Sequence, residues 1–390
     1  MKKNFLLLLF LASLFSFNAC SDDSDITEED PTAEEKEQTE EERIDFEVKN
    51  FIYRGLNDIY LYKADVPELA DDYFTNDKAK TDFLNNFSTP ESLFENLLSS
   101  QDRFSFITDD YEELENQFDG ISGATGMEFG LGVIRGTNDV FGYIQYILPG
   151  TSAEEEGLSR GTIFTEVDGE QLTTSNYTEL LSKDAFTINT GYVEDGVIHM
   201  TDNTANLTDD YYTMNPVFIN KVIELNEKKI GYLMYNSFIA NFDKELNTAF
   251  GEFKSAGITD LVLDLRYNGG GSVTTATDLA SMITGQFEGQ VFAQEQWNED
   301  YQKYYEENFP DYLVNKFDTE LSTGEIINSL NLKEVYILTT VSTASASELI
   351  INGLDPYINV VQIGETTTGK FQASITLYDS PTFSEKNRND

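Results

Sequence analysis

Between Val335 and Lys370 the side-chain pattern changes several times, and each change narrows what the chain can fold into. Val335-Tyr336-Ile337-Leu338 is an apolar run of strand length, and it passes into Thr343-Ala344-Ser345-Ala346-Ser347-Glu348, where small hydroxylated residues replace bulky ones. A helix-like run, Leu349-Ile350-Ile351-Asn352-Gly353-Leu354, follows, and then a second apolar strand, Val360-Val361-Gln362-Ile363. Strand, helix and strand in that order make a mixed α/β pattern. The chain then enters Gly364-Glu365-Thr366-Thr367-Thr368-Gly369-Lys370, a glycine-bounded loop with one lysine. Such an arrangement can bring a serine and a lysine within reach of one another.

A serine hydroxyl is a weak nucleophile unless a neighbouring base takes its proton. The chain has one histidine, His199, in the strand-like Val197-Ile198-His199-Met200 with no partner in view. A Ser-His-Asp reading would rest on that residue alone. Lysine can serve as the base instead, provided its pKa falls from about 10.4 towards neutrality. A fall of about three units is roughly 4 kcal/mol of bias against the charged form, which burial in an apolar site can supply.

The segments around Ser345 and Lys370 resemble those of the carboxy-terminal processing (tail-specific) proteases, serine endopeptidases of the S41 class. The resemblance implies Ser345 as nucleophile and Lys370 as general base. Lys370 lies 25 positions beyond Ser345, the family's usual separation, which favours Ser345 over Ser347. It also implies a mixed α/β fold with a ClpP/crotonase-like ββα catalytic core, an inserted PDZ-like β domain and an N-terminal helical domain. The implied activity is cleavage of unfolded or C-terminally exposed polypeptides through an acyl-enzyme, with no cofactor and no metal.

A second motif lies upstream. Asp260-Leu261-Val262-Leu263-Asp264-Leu265-Arg266-Tyr267-Asn268-Gly269-Gly270-Gly271 is an apolar strand running into three glycines, followed by a helical pattern from Thr274 to Ile283. Such a turn leaves backbone amides exposed where negative charge can be held, and in acyl transfer they stabilise the tetrahedral oxyanion. The Lys-Ser/Thr that closes a phosphate-binding loop is missing. The segment is similar to the family's Leu-Arg-Asn-Asn-Pro-Gly-Gly motif, with Tyr267 and Gly269 in place of two of its residues. That likeness implies oxyanion donors at the amides of Gly270 and Ala346.

The N-terminal residues look like an address. Lys2 and Lys3 precede an apolar run from Phe5 to Phe17 and then Asn18-Ala19-Cys20, a signal segment over residues 1–20. Such a run is too short for a stable membrane span. Cys20 is the only cysteine, so no intramolecular disulfide can form. Its position resembles the lipidation site of Bacteroidota-type bacterial lipoproteins, implying a cell-envelope protein held to the membrane by a lipid anchor only. Residues 21–45 carry many acids and almost no apolar side chains, so a disordered tether is expected. The whole chain carries 25 basic against 70 acidic residues, formally −45, which argues against nucleic acid and anionic lipid surfaces as partners.

Residues 46–118 read as a small helical domain, with Phe51, Ile52, Leu56, Ile59 and Tyr60 at helical spacing and a helix start at Ser88-Thr89-Pro90-Glu91. Residues 119–209 change to short strands and turns. Their order resembles a PDZ domain, in which a polypeptide end adds as a strand to an open sheet edge. The resemblance places the carboxylate-holding loop at Phe129-Gly130-Leu131-Gly132, where glycines would let the backbone approach the ligand. Residues 210–390 are then the catalytic part.

Two departures from the family pattern bear on function. The position four beyond the lysine, where a glutamine often orients it, is Ser374, with Gln372 two beyond, so the third member of the site is Gln372, Ser374 or none. The chain also ends soon after the lysine, where family members usually continue. Both features support a rival from another class, a protease-like scaffold that holds peptides without cutting them.

Overall fold

The computed structural model describes residues 39–384. The expected signal segment, Cys20, the tether up to residue 38 and the last six residues lie outside the described residues. The chain divides into two units, 1–44 and 45–390. Of the first, residues 39–44 are described, and they correct the predicted tether boundary, because helix α1 (Glu40–Ile59) starts inside it. The Thr39 amide donates to Glu42 Oε2 (2.9 Å) and the Glu42 amide to Thr39 Oγ1 (3.2 Å). This reciprocal capping box, with Glu40 and Glu41 beside the helix N-terminus, favours a helix although its first turn has no apolar residue.

In the second unit, α1 is followed by α2 (Asp77–Leu84), α3 (Pro90–Leu97) and α4 (Tyr111–Phe118). Thr89 caps α3 by accepting from the Ser92 amide at 3.2 Å, with Pro90 in the first turn where no amide donor is needed. Leu69, Leu84, Leu93 and Leu97 are wholly buried with Tyr53 and Tyr60 in one cluster.

Next come β1 (Ile121–Ala124), β2 (Met127–Val133), β3 (Val140–Ile147), α5 (Ser152–Glu155), β4 (Ile163–Phe164), β5 (Glu166–Val167) and β6 (Glu170–Gln171). After them come α6 (Tyr177–Leu181), β7 (Ala185–Glu194), β8 (Val197–Thr208) and β9 (Asp210–Thr213). One sheet runs β2-β3-β4-β7-β5-β6, with β8 also paired to β7, over a core of Phe164, Val167, Leu172 and Ile188. Phe129, Gly130, Leu131 and Gly132, read from sequence as a loop, are strand residues of β2. In the antiparallel register Gly130 faces Tyr143 and Gly132 faces Phe141. A Cβ on either glycine would meet the facing ring at 2.3 Å and 2.6 Å respectively. These glycines therefore admit cross-strand aromatic rings, and β2 ends the sheet with an open edge.

The rest comprises β10 (Val217–Leu225), β11 (Lys228–Tyr235), α7 (Asp243–Ala256), β12 (Asp260–Asp264), α8 (Val273–Ile283) and β13 (Val291–Gln294). It continues with α9 (Glu299–Asn308), β14 (Val314–Lys316), β15 (Glu334–Thr339), α10 (Ala346–Leu354) and β16 (Asn359–Gly364). The sheet order is β10-β11-β12-β15-β16; β10 and β11 are antiparallel and the remaining pairs parallel. Leu261, Leu263, Val335 and Ile337 are wholly buried, as expected for parallel strands covered by helices. The register pairs Asp264 with Leu338, so β12 and β15 end side by side. The glycine-rich turn and the serine turn thus meet beyond the carboxyl ends of adjacent strands, where open α/β sheets bind ligands.

Candidate active site

The serine turn is built onto the end of β12. Thr343, fully buried, donates through Oγ1 to the Leu265 carbonyl at 2.8 Å, and the Ala344 amide donates to the Asn268 carbonyl at 3.2 Å. The same carbonyl accepts Ser347 Oγ at 3.0 Å. Ser347 is wholly enclosed, whereas Ser345 is only part-buried. Ser345 has φ 55° and ψ −115°. A non-glycine residue there is strained, and a strained serine between a strand and a helix is the local geometry of a nucleophile elbow.

The glycine-rich turn lies directly against this serine. A Cβ on Gly270 would stand 2.7 Å from Ser345 Cβ and 3.0 Å from the Ala346 nitrogen, and one on Gly271 would stand 2.2 Å from the Phe238 carbonyl oxygen. Both glycines have positive φ, 108° and 134°, so no other residue fits this close approach. Asn268 is buried, donating to the Tyr235 carbonyl (2.9 Å) and accepting the Gly270 amide on Oδ1 (2.8 Å). Of the two expected oxyanion donors, Gly270 therefore already has an acceptor. Ala346 is the first residue of α10, where an amide has no intrahelical partner.

Glu348 joins the serine turn to the lysine loop. Its Oε2 accepts the amides of Ser345 (2.9 Å) and Lys370 (2.8 Å), and its Oε1 accepts the Gly369 amide and the Thr367 hydroxyl, both at 2.6 Å. Burial pushes this carboxyl up, but the four hydrogen bonds outweigh burial and hold it below its ordinary value. Sequence reasoning passed over Glu348, although Ser345-x-x-Glu348 is the spacing of a helix capping pair.

The Lys370 amine is directed at Ser374 Oγ, 3.5 Å away, and lies 5.3 Å from the centre of the Phe104 ring. Among the described residues it makes no hydrogen bond to Ser345 Oγ. Gln372 turns the other way, donating to Tyr62 Oη at 2.6 Å, so Ser374 is the nearer of the two candidate third members. Arg103 donates to the Gly369 carbonyl at 3.3 Å. The segment around Arg103 and Phe104 carried no motif that would have marked it.

Two further placements complete the set. His199 is exposed on β8, stacked on Tyr192 with ring centres 5.4 Å apart, on a different sheet from β15, the strand that leads to Ser345. Tyr267, in the glycine-rich segment, packs against Tyr146 of β3 at 5.5 Å and is hydrogen-bonded by Arg160, which also donates to the Gln145 carbonyl at 2.6 Å. The β2–β8 sheet and the glycine turn are thereby in direct contact.

Residues 229–380 match the family model described as Peptidase family S41, and residues 47–106 match the Peptidase S41 N-terminal domain. Both matches are to models of peptidase family S41. The S41 region contains Ser345, Glu348, Lys370 and the glycine-rich turn. A carboxyl-terminal-processing protease of Picosynechococcus is 29% identical over 170 residues, 44% of this chain and 36% of that protein. One from Synechocystis is 24% identical over 250 residues, 63% of this chain and 54% of that protein. The chain thus spans about a third to a half of the length of these relatives. A solved structure of a candidate S41 protease from Bacteroides fragilis is 27% identical with a TM-score of 0.62, covering 85% of this chain and 82% of its own. That likeness is consistent with the mixed α/β S41 fold.

Proposed function

We propose that the chain is a serine endopeptidase of polypeptides that works through a Ser345–Lys370 dyad. The observation that carries this reading is the strained conformation of Ser345 at the head of α10, with its amide and that of Lys370 on one oxygen of Glu348. In the reaction Lys370, as the neutral amine, takes the Ser345 proton while Oγ attacks the scissile carbonyl. The oxyanion is met by the Ala346 amide and by Gly270, whose amide exchanges Asn268 Oδ1 for the substrate oxygen. The lysine returns the proton to the leaving amine, and water then releases the acyl group by the same route. Ser374 steadies the amine.

The sheet carrying β2 is the PDZ-like module of this proposal, set into a ClpP/crotonase-like core. An unfolded polypeptide end adds along the open edge at Phe129, Gly130, Leu131 and Gly132. Lipid attached at Cys20 would hold the enzyme at the cell envelope. The test is cleavage of an unfolded casein-type protein by wild type, Ser345→Ala and Lys370→Ala, with mass spectrometry for an acyl adduct on Ser345. Loss of cleavage in both folded variants is expected; undiminished cleavage by both would overturn the assignment. The direction of the lysine amine, towards Ser374 and Phe104, favours a second reading, a scaffold that holds polypeptides uncut. Peptide binding without turnover by wild type would select it.

A further inference from the structure

The site has a component that neither the serine nor the lysine supplies, a fixed relation between the turn bearing one and the loop bearing the other. We propose that Glu348 is the positioning residue that sets this relation, an inference that rests on the dyad reading. Ser345 is the N-cap residue just before α10, whereas Lys370 follows β16 in a loop without regular structure. The hydrogen bonds joining that loop to the serine segment are few. Thr368 donates its amide to the Thr343 carbonyl (3.0 Å) and its hydroxyl to the Val341 carbonyl (2.7 Å). Thr339 and Glu365 exchange two more at the start of the loop (3.1 Å and 2.9 Å), and Thr367, Gly369 and Lys370 each donate to Glu348. Among the described residues, only Glu348 bonds the two reacting residues' own amides.

The chemistry of the side chain explains why a carboxylate is needed. Each oxygen receives two donors, and an ionised carboxylate offers about four acceptor sites and no donor. An amide in its place presents one oxygen and one NH2 group. With the oxygen at the Oε2 position, the Ser345 and Lys370 amides remain bonded. Thr367 can rotate its hydroxyl to accept, and only the Gly369 amide loses its partner. Alanine removes all four acceptors while remaining a good helix residue. Loosening the tie lets the loop shift, and a misplacement of about 1 Å in a catalytic group can cost ~100-fold in rate.

The test compares wild type, Glu348→Gln and Glu348→Ala on an unfolded protein substrate, together with amide hydrogen exchange and thermal unfolding. The expected order in kcat is wild type, then Gln, then Ala, with Ala down by ~100-fold and KM little changed. In Glu348→Ala the Ser345, Gly369 and Lys370 amides should exchange at least about ten-fold faster, and in Glu348→Gln only that of Gly369. Ala or Gln variants that keep both wild-type kcat and wild-type protection at their respective amides would overturn the proposal. If Glu348→Ala does not fold, the single-amide signature of Glu348→Gln decides. If wild type cuts nothing, the dyad reading fails, whereas the exchange pattern still reports whether Glu348 ties the two segments.

Discussion

Ser347 Oγ donates to the carbonyl of Asn268 across a fully buried gap of 3.0 Å, which separates the two serines of the motif by role. Removing that hydroxyl in Ser347→Ala leaves a small void and one fewer donor on a buried carbonyl. A stability loss of about 1–2 kcal/mol is expected by denaturant unfolding. Ser345→Ala, at a part-buried position, should stay within about 0.5 kcal/mol of wild type.

Ser345→Gly tests the strain in the serine turn. Glycine adopts φ near 55° without steric cost, so the variant should unfold at higher denaturant, by about 1 kcal/mol, while losing all cleavage. No gain in stability would mean that the turn stores no strain of use to the site.

Gly270→Ala makes the opposite change. The added methyl would fall 2.7 Å from Ser345 Cβ at a φ of 108°, so the serine turn or the glycine turn must move. A loss of about 2 kcal/mol or more in stability is expected, together with loss of turnover. A variant with normal stability and normal kcat would show that the two turns do not pack as described.

Asp278 gives the protein a pH-dependent stability. It lies on the inner face of α8, one turn from Thr275, whose hydroxyl donates to Asp243 (2.7 Å), and one turn from Ser281, which accepts the Asp318 amide (3.0 Å). Among the described residues, Asp278 Oδ2 is buried without a hydrogen-bond partner. Burial first, then the nearby Asp243 and Asp318 carboxylates, push it from 3.8 up to about 7. The folded state therefore holds a proton that the unfolded state releases. Its contribution is complete below about pH 4 and is lost as pH rises to about 7. Asp278→Asn should remove that component, giving a flatter stability profile between those limits and a higher midpoint than wild type at pH 8. An unchanged profile, followed by thermal unfolding from pH 4 to 8, would place the titration elsewhere.

Much of the half from Val217 onward could be read directly. The apolar runs read as strands before the glycine-rich turn, before the serine turn and before the lysine loop are β12, β15 and β16, and the helices α8 and α10 fall where the pattern places them, because strand and helix patterns are local. Other elements carried no clear mark: β7 and β10 mix polar and apolar residues on partly exposed faces, so their alternation is blurred. The opening turn of α1 was hidden by its acidity, although its capping pair was present in the sequence.

The sequence by itself determined the chemical inventory, a serine in a small-residue turn, a lysine after a glycine, three glycines after a strand, and the spacing that relates them. Tertiary structure decided how the inventory is used. Phe129 to Gly132 became an edge strand because Tyr143 and Phe141 needed the space above two glycines, a cross-strand fact that no local pattern contains. The Gly270 amide acquired an acceptor from Asn268, and Ser374 rather than Gln372 came nearest the lysine amine. Glu348, three residues along from Ser345 and distant from Lys370 in sequence, became the link between them. Hydrogen-bond partners supplied by strands β12, β15 and β16 are set by sheet register, and register is fixed by burial of the whole core rather than by neighbours along the chain.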